Sequence, residues 1–102
     1  MFNLFKKIFG QATDLSSLVQ NGATIVDVRT IAEYKTGHIN GSVNIPLDQL
    51  QSRLKELQGS SKPVITVCRS GNRSAMARRI LQSAGIDTYN GGAWNLLQLK
   101  LK

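Results

Sequence analysis

The sequence predicts an α/β domain built on a parallel sheet with helices on both faces. Two observations carry this. Short β-branched runs alternate with stretches of helical period along the chain, and such alternation implies right-handed crossovers between parallel strands. Residues 63–67 (PVITV) form a nearly unbroken apolar run, as expected of a strand covered on both faces. A length of 102 residues with 41% hydrophobic content allows one compact domain and makes wholesale disorder unlikely on composition.

The elements follow in order. Residues 1–10 (MFNLFKKIFG) place Phe2, Phe5, Ile8 and Phe9 broadly on one side at helical spacing. This amphipathic segment is expected to dock on the domain or fray, with a weak membrane or partner anchor as the alternative. Residues 11–102 make up the domain. Asp14 or Thr13 caps a helix carrying Leu15, Leu18 and Val19, stopped by Asn21-Gly22. Residues 24–28 (TIVDV) read as a strand. Residues 31–36 make a brief helix, and residues 43–45 a short strand closed by Pro46. Asp48, with Gln51 three residues on, suggests a capping box for a helix to about Leu57, with Leu47, Leu50, Leu54 and Leu57 as its apolar stripe. After the buried strand comes a helix over 73–84, whose apolar face is Met76, Ala77, Ile80, Leu81 and Ala84, with Gly85 in a left-handed cap. Residues 86–89 are the next strand. Beyond Gly91-Gly92 a last helix carries Trp94, Leu96 and Leu97.

Composition removes several functions. One cysteine, Cys68, and one histidine, His38, exclude an intramolecular disulfide framework, a CxxC pair and a Cys-rich zinc site. No run approaches a membrane span, and no secretory signal is visible, so a cytoplasmic protein is expected. The net charge is +7, but the basic residues are scattered and aromatics make up only 6%, which argues against nucleic-acid binding.

The chemistry concentrates in Cys68-Arg69-Ser70-Gly71-Asn72-Arg73-Ser74. The segment joins the most buried strand to a helix N-terminus, where ligands of open parallel sheets bind. Gly71 permits a tight turn. Successive backbone N–H groups can curl into an anion nest, helped by the helix dipole and by Arg69 and Arg73. A thiol placed there ionises readily, and only the thiolate is a strong nucleophile. A lone cysteine is usually inert core, yet core packing asks for neither two arginines nor a glycine beside it. Cys68 is therefore read as a nucleophile acting on, or carrying, an anionic group, with Arg69, Ser70, Gly71, Asn72 and Arg73 as the anion-binding set.

That loop resembles the active-site loop of the rhodanese family of sulfurtransferases. Further motifs arrive in family order: Asp27-Val28-Arg29; Glu33-Tyr34 followed by Gly37-His38-Ile39, Gly41-Ser42 and Asn44-Ile45-Pro46; and Gly91-Gly92 with Trp94. The resemblance runs from about residue 11 to 97. It implies a three-layer α/β/α sandwich with a five-stranded parallel sheet, whose first strand lies near residues 11–13. It also implies that Cys68 takes sulfane sulfur from thiosulfate or a persulfide donor and passes it to cyanide, a thiol or a protein, with no metal or organic cofactor. Phosphatases and arsenate reductases of similar fold place five residues between cysteine and arginine; here there are four. A phosphatase or arsenate reductase, or a persulfide carrier that does not turn over freely, remains the alternative.

Other residues are assigned support. Asp27 and Arg29 read as a structural pair, with Glu33 available to Arg29. Trp94 is expected as a pocket wall or core residue, Ser74 as a cap or a loop hydrogen bond. His38 is expected in a structural hydrogen bond, since thiolate sulfur transfer needs no general acid.

Overall fold

A computed structural model describes residues 14–101. The chain runs α1 (Leu15–Gln20), β1 (Thr24–Asp27), α2 (Ile31–Lys35), β2 (Val43–Asn44), α3 (Leu47–Leu50), a 3-10 turn (Gln51–Arg53), α4 (Lys55–Gln58), β3 (Val64–Cys68), α5 (Asn72–Ser83), β4 (Thr88–Ala93) and α6 (Trp94–Lys100). The strands form a parallel sheet in the order β2-β1-β3-β4. Four strands are present among the described residues; the fifth, expected near residues 11–13, lies outside them, as does the segment 1–10. No helix among the described residues is long and apolar enough to cross a membrane.

Side chains of successive strand residues point to opposite faces, and β3 shows the consequence. Val64 and Cys68 join Val26, Val28, Leu50, Leu57, Ala77 and Leu81 on one face, beneath α3, α4 and α5. Ile65 and Val67 join Ile25 and Leu97 on the other, packed by Leu15, Leu18 and Trp94 of α1 and α6. All five β3 residues are buried, so the strand is covered on both faces and the three layers follow. Cys68 inherits its direction from this alternation.

Local chemistry sets the helix ends. Asp14 accepts from the Ser17 amide and caps α1. Thr30 and Glu33 close a reciprocal capping box on α2 that the sequence reading did not pick out. The box expected at Asp48 and Gln51 does not form. Helix α3 starts two residues earlier, with Pro46 in the cap position, and the Leu47 amide already donates to the Val28 carbonyl at 3.1 Å. Asp48 lies in the first turn instead, where a carboxylate favours the helix dipole. The leucine stripe continues through the 3-10 turn, because Leu47, Leu50, Leu54 and Leu57 all pack on the same core. Met76, expected on the buried face of α5, is 52% exposed; the apolar arc there is narrower than the sequence suggested.

The last strand is also displaced from residues 86–89 to Thr88–Ala93. It runs through the glycine pair by means of a bulge. Thr66 pairs with Asn90 and Val67 with Gly92, so Gly91 is an extra residue. A Cβ on Gly91 would sit 2.8 Å from Ile65 Cγ2 and 2.9 Å from Val67 Cγ1. Only glycine fits there without displacing core side chains. Gly91→Ala is therefore expected to destabilise the fold by about 1–3 kcal/mol, the usual cost of overpacking. Urea denaturation checks this, and an unchanged midpoint contradicts the steric account.

Candidate active site

Cys68 ends β3 with its residue surface 1% exposed. The chain then turns through Arg69 and Ser70 to Gly71, whose φ of 101° lies in the left-handed region and starts α5. This turn aims donors back at the sulfur. The Gly71 amide lies 2.9 Å from Sγ and the Ser74 amide 3.4 Å away. The Ser74 hydroxyl lies 3.4 Å from Sγ. Burial pushes the Cys68 thiol up, but the Ser74 hydroxyl and the amides of Ser74, Gly71 and Ser70 outweigh it, and the net result is a lowered pKa.

The predicted residues divide into those that face the sulfur and those that do not. Gly71 and Ser74 supply the hydrogen bonds just described, and the Ser70 amide helps lower the Cys68 pKa. Asn72 is exposed in the first turn of α5. Arg69 is exposed and rims a depression of about 350 Å³ that it shares with Arg29, Glu33, Thr36, Trp94 and Asn95. Arg73 directs both terminal nitrogens at Glu33, at 2.7 and 2.9 Å, so its guanidinium ties the loop to α2.

Of the two partners offered to Arg29, Asp27 pairs with it and the Glu33 carboxylate does not. The Glu33 carboxylate belongs to Arg73, and only the Glu33 carbonyl reaches Arg29, at 3.3 Å. Arg29, 3% exposed, pairs with buried Asp27 through Nε and Nη2, at 2.7–3.0 Å. Its Nη2 also donates to the Gly37 carbonyl at 2.7 Å. The guanidinium carbon lies 4.5 Å from the centre of the Trp94 ring, so Trp94 is a wall against Arg29. A Cβ on Gly37 would lie 3.1 Å from Trp94 Cη2. His38 bonds the Tyr34 carbonyl through Nδ1 at 2.8 Å and stacks on the Tyr34 ring at 3.7 Å, in keeping with a structural role. Among the described residues, no group of three His, Cys, Asp or Glu side chains comes together as a metal site.

The sequence reading missed Asn90. Its Oδ1 lies 2.6 Å from the Ser74 hydroxyl and accepts from the Gly92 amide at 2.9 Å, while Nδ2 reaches the Gly71 carbonyl at 3.4 Å. The available signal was the glycine pair: glycine inside a strand pattern marks a bulge, and bulges re-aim side chains beside active sites.

Two predictions follow from this geometry. Arg73 and the Thr30 backbone amide hold the Glu33 carboxyl down from 4.5 to about 2, against burial. A folded-state pKa below the unfolded one adds stability that is fully present above about 4.5 and disappears as pH falls through about 2. Wild type is therefore expected to exceed Glu33→Gln in urea stability at neutral pH, with the gap closing across that acid window. Separately, the pH profile of Cys68 alkylation by iodoacetamide is expected to inflect below the ordinary thiol value of about 8.5. An inflection at or above that value contradicts the donor geometry.

Comparisons with known proteins bear on the family and the fold. The sequence pattern of the rhodanese-like domain family matches residues 11–96. The chain is 31% identical over 80 residues to the thiosulfate sulfurtransferase PspE of Escherichia coli, covering 76% of this chain and 77% of that one. It is 43% identical over 61 residues to the putative sulfur carrier protein YrkF of Bacillus subtilis, covering 60% of this chain and 32% of that one. Against several curated relatives it spans less than two thirds of their length. The crystal structure of a rhodanese-related protein from Thermoplasma volcanium superposes with a TM-score of 0.73 at 30% identity, covering 85% of each chain. A parallel sheet between two helical layers, a cysteine at the end of its most buried strand and a match over residues 11–96 together make this chain a member of the rhodanese family, with the rhodanese-like α/β fold.

Proposed function

We propose that the chain is a sulfurtransferase that carries sulfane sulfur as a Cys68 persulfide. One observation carries the reading: the Cys68 sulfur is the point on which the Gly71 and Ser74 amides converge. Fixed donors aimed at one atom favour negative charge on it and need no rearrangement as that charge develops. Both the thiolate and a sulfur adduct carry such charge.

In the loading step the Cys68 thiolate attacks the outer sulfur of thiosulfate. An S–S bond forms, the bond to the sulfonate sulfur breaks, and sulfite leaves with the electron pair. With a persulfide donor the leaving group is a thiolate. In the unloading step a nucleophilic acceptor attacks the outer sulfur, and Cys68 leaves as the thiolate. Cyanide serves as acceptor in vitro, giving thiocyanate; a thiol or a protein serves in the cell. Likeness to proteins named thiosulfate sulfurtransferase and putative sulfur carrier supports this class of reaction. Exposed Arg69 at the rim of the depression attracts an anionic donor by long-range steering.

Phosphoryl chemistry is less well served. Four residues separate Cys68 from Arg73, and both terminal nitrogens of that arginine are already held by Glu33. The arginine that a tetrahedral oxyanion would need is thus committed elsewhere.

The test is intact mass after incubation with thiosulfate, then with a small-molecule persulfide. A gain of one sulfur atom, absent in Cys68→Ser and removed by cyanide, is expected. No adduct from either donor sinks the proposal. An adduct that resists cyanide but passes to a protein thiol favours a dedicated carrier over an enzyme with free turnover.

A further inference from the structure

The Ser74 hydroxyl has more acceptors around it than hydrogens to give. It has one hydrogen and two lone pairs. Within reach of Oγ lie Cys68 Sγ at 3.4 Å, the Gly71 carbonyl at 3.1 Å and Asn90 Oδ1 at 2.6 Å. The Gly71 carbonyl already accepts from the Ala75 amide at 3.0 Å and from Asn90 Nδ2 at 3.4 Å, so its two lone pairs are taken. The Asn90 amide is oriented at both ends by main chain: the Gly92 N–H requires an oxygen, and the Gly71 carbonyl requires the NH2 group. Asn90 therefore presents an acceptor to Ser74 and cannot donate to it. The competition for the single hydrogen is between Asn90 Oδ1 and the sulfur.

We propose that Asn90 is a positioning residue for Cys68 that acts through the Ser74 hydrogen, drawing it off the sulfur in the thiol state and yielding it to the thiolate. In the thiol state Ser74 donates to Asn90, and the Cys68 S–H donates to a Ser74 lone pair. When the thiol ionises, its proton leaves to solvent and the sulfur loses its only hydrogen. The Ser74 hydroxyl then turns about its Cβ–Oγ bond and donates to the sulfur, while Asn90 Oδ1 keeps the Gly92 amide. Forming the thiolate thus breaks the Ser74–Asn90 bond, and Asn90 holds the sulfur less acidic than the same nest would be without it.

The charges around this unit are Arg69 and Arg73 from the loop and α5, the Glu33 carboxylate of α2 that pairs with Arg73, and the Asp27–Arg29 pair at the end of β1. From β4, residues 90–93 bring no ionisable group. None of these charges is altered by a neutral substitution at Asn90. The proposal rests on Cys68 as the reactive sulfur, but its readout is alkylation. It can therefore fail while sulfur transfer stands, and the reverse.

The experiment compares the pH profile of Cys68 alkylation in wild type, Asn90→Leu, Ser74→Ala and the double variant, with circular dichroism as a check on folding. Asn90→Leu is expected to move the inflection down by about half to one unit, or roughly three- to tenfold more thiolate at a fixed lower pH. The shift is expected to vanish in the Ser74→Ala background. An unchanged or raised inflection, or an equal shift without Ser74, overturns the proposal. If Asn90→Leu does not fold, Asn90→Asp decides. Its carboxylate claims the hydrogen more firmly, so the inflection is expected to rise further with Ser74 present than in Ser74→Ala; equal rises overturn the proposal.

Discussion

The site hangs on a buried ion pair. Asp27 and Arg29 are both removed from solvent, and a buried charge is tolerated only when partnered and fully hydrogen-bonded. Arg29 meets that demand by reaching across the end of the sheet. It holds Asp27 on β1, the Glu33 carbonyl on α2 and the Gly37 carbonyl beyond it, and Trp94 of α6 covers its face. Asn44 of β2 adds to the knot by donating to the Asp27 and Arg29 carbonyls. The position of α2 follows from these bonds, and with it the Glu33 carboxylate that grips Arg73. The first turn of α5 is therefore tethered from the opposite side of the sheet end, and the amides aimed at Cys68 keep their direction.

The sulfur itself sits between two opposed effects. Burial disfavours its charge, and a ring of short-range donors favours it. Because the donors are mostly backbone amides of one turn, their aim depends on Gly71 taking a conformation that other residues rarely adopt. Arg69 and Arg73 contribute charge from further out. Arg73 is neutralised in part by Glu33, so the electrostatic preference at the sulfur is set by dipoles at contact distance more than by whole charges.

Much of this was legible in the sequence, and the reason differs by element. Strand β3 announced itself because burial on both faces leaves an unbroken apolar run, and Cys68 followed from its position at the end of that run. Asp14 was legible as a cap because capping is a three-residue affair. The Arg73–Glu33 pair was not: it joins residues 40 positions apart, and both side chains had nearer candidates, including Arg29. The Asp48 box was over-read, since a side-chain pattern says nothing of the Leu47 amide being satisfied by Val28. Asn90 stayed hidden for a similar reason. The glycines mark a bulge, but which side chain the bulge redirects depends on the neighbouring strand.

That bulge makes β4 unusually sensitive to chain length. One surplus residue, Gly91, separates the pairing of Asn90 from that of Gly92. In a strand, a slip of one position sends every later side chain to the opposite face. Asn90 stands opposite Thr66 and Ala93 opposite Cys68, so three steps along β4 match two along β3, and the surplus residue is accommodated without turning Ala93 away from Asn90's face. A single-codon insertion beside Gly91 would leave composition and hydrophobicity almost unchanged, yet it would upset that parity. Deleting Gly91 would keep the pairing and straighten the strand, so the bend that leads into Trp94 depends on a residue whose side-chain space is already filled by Ile65 and Val67.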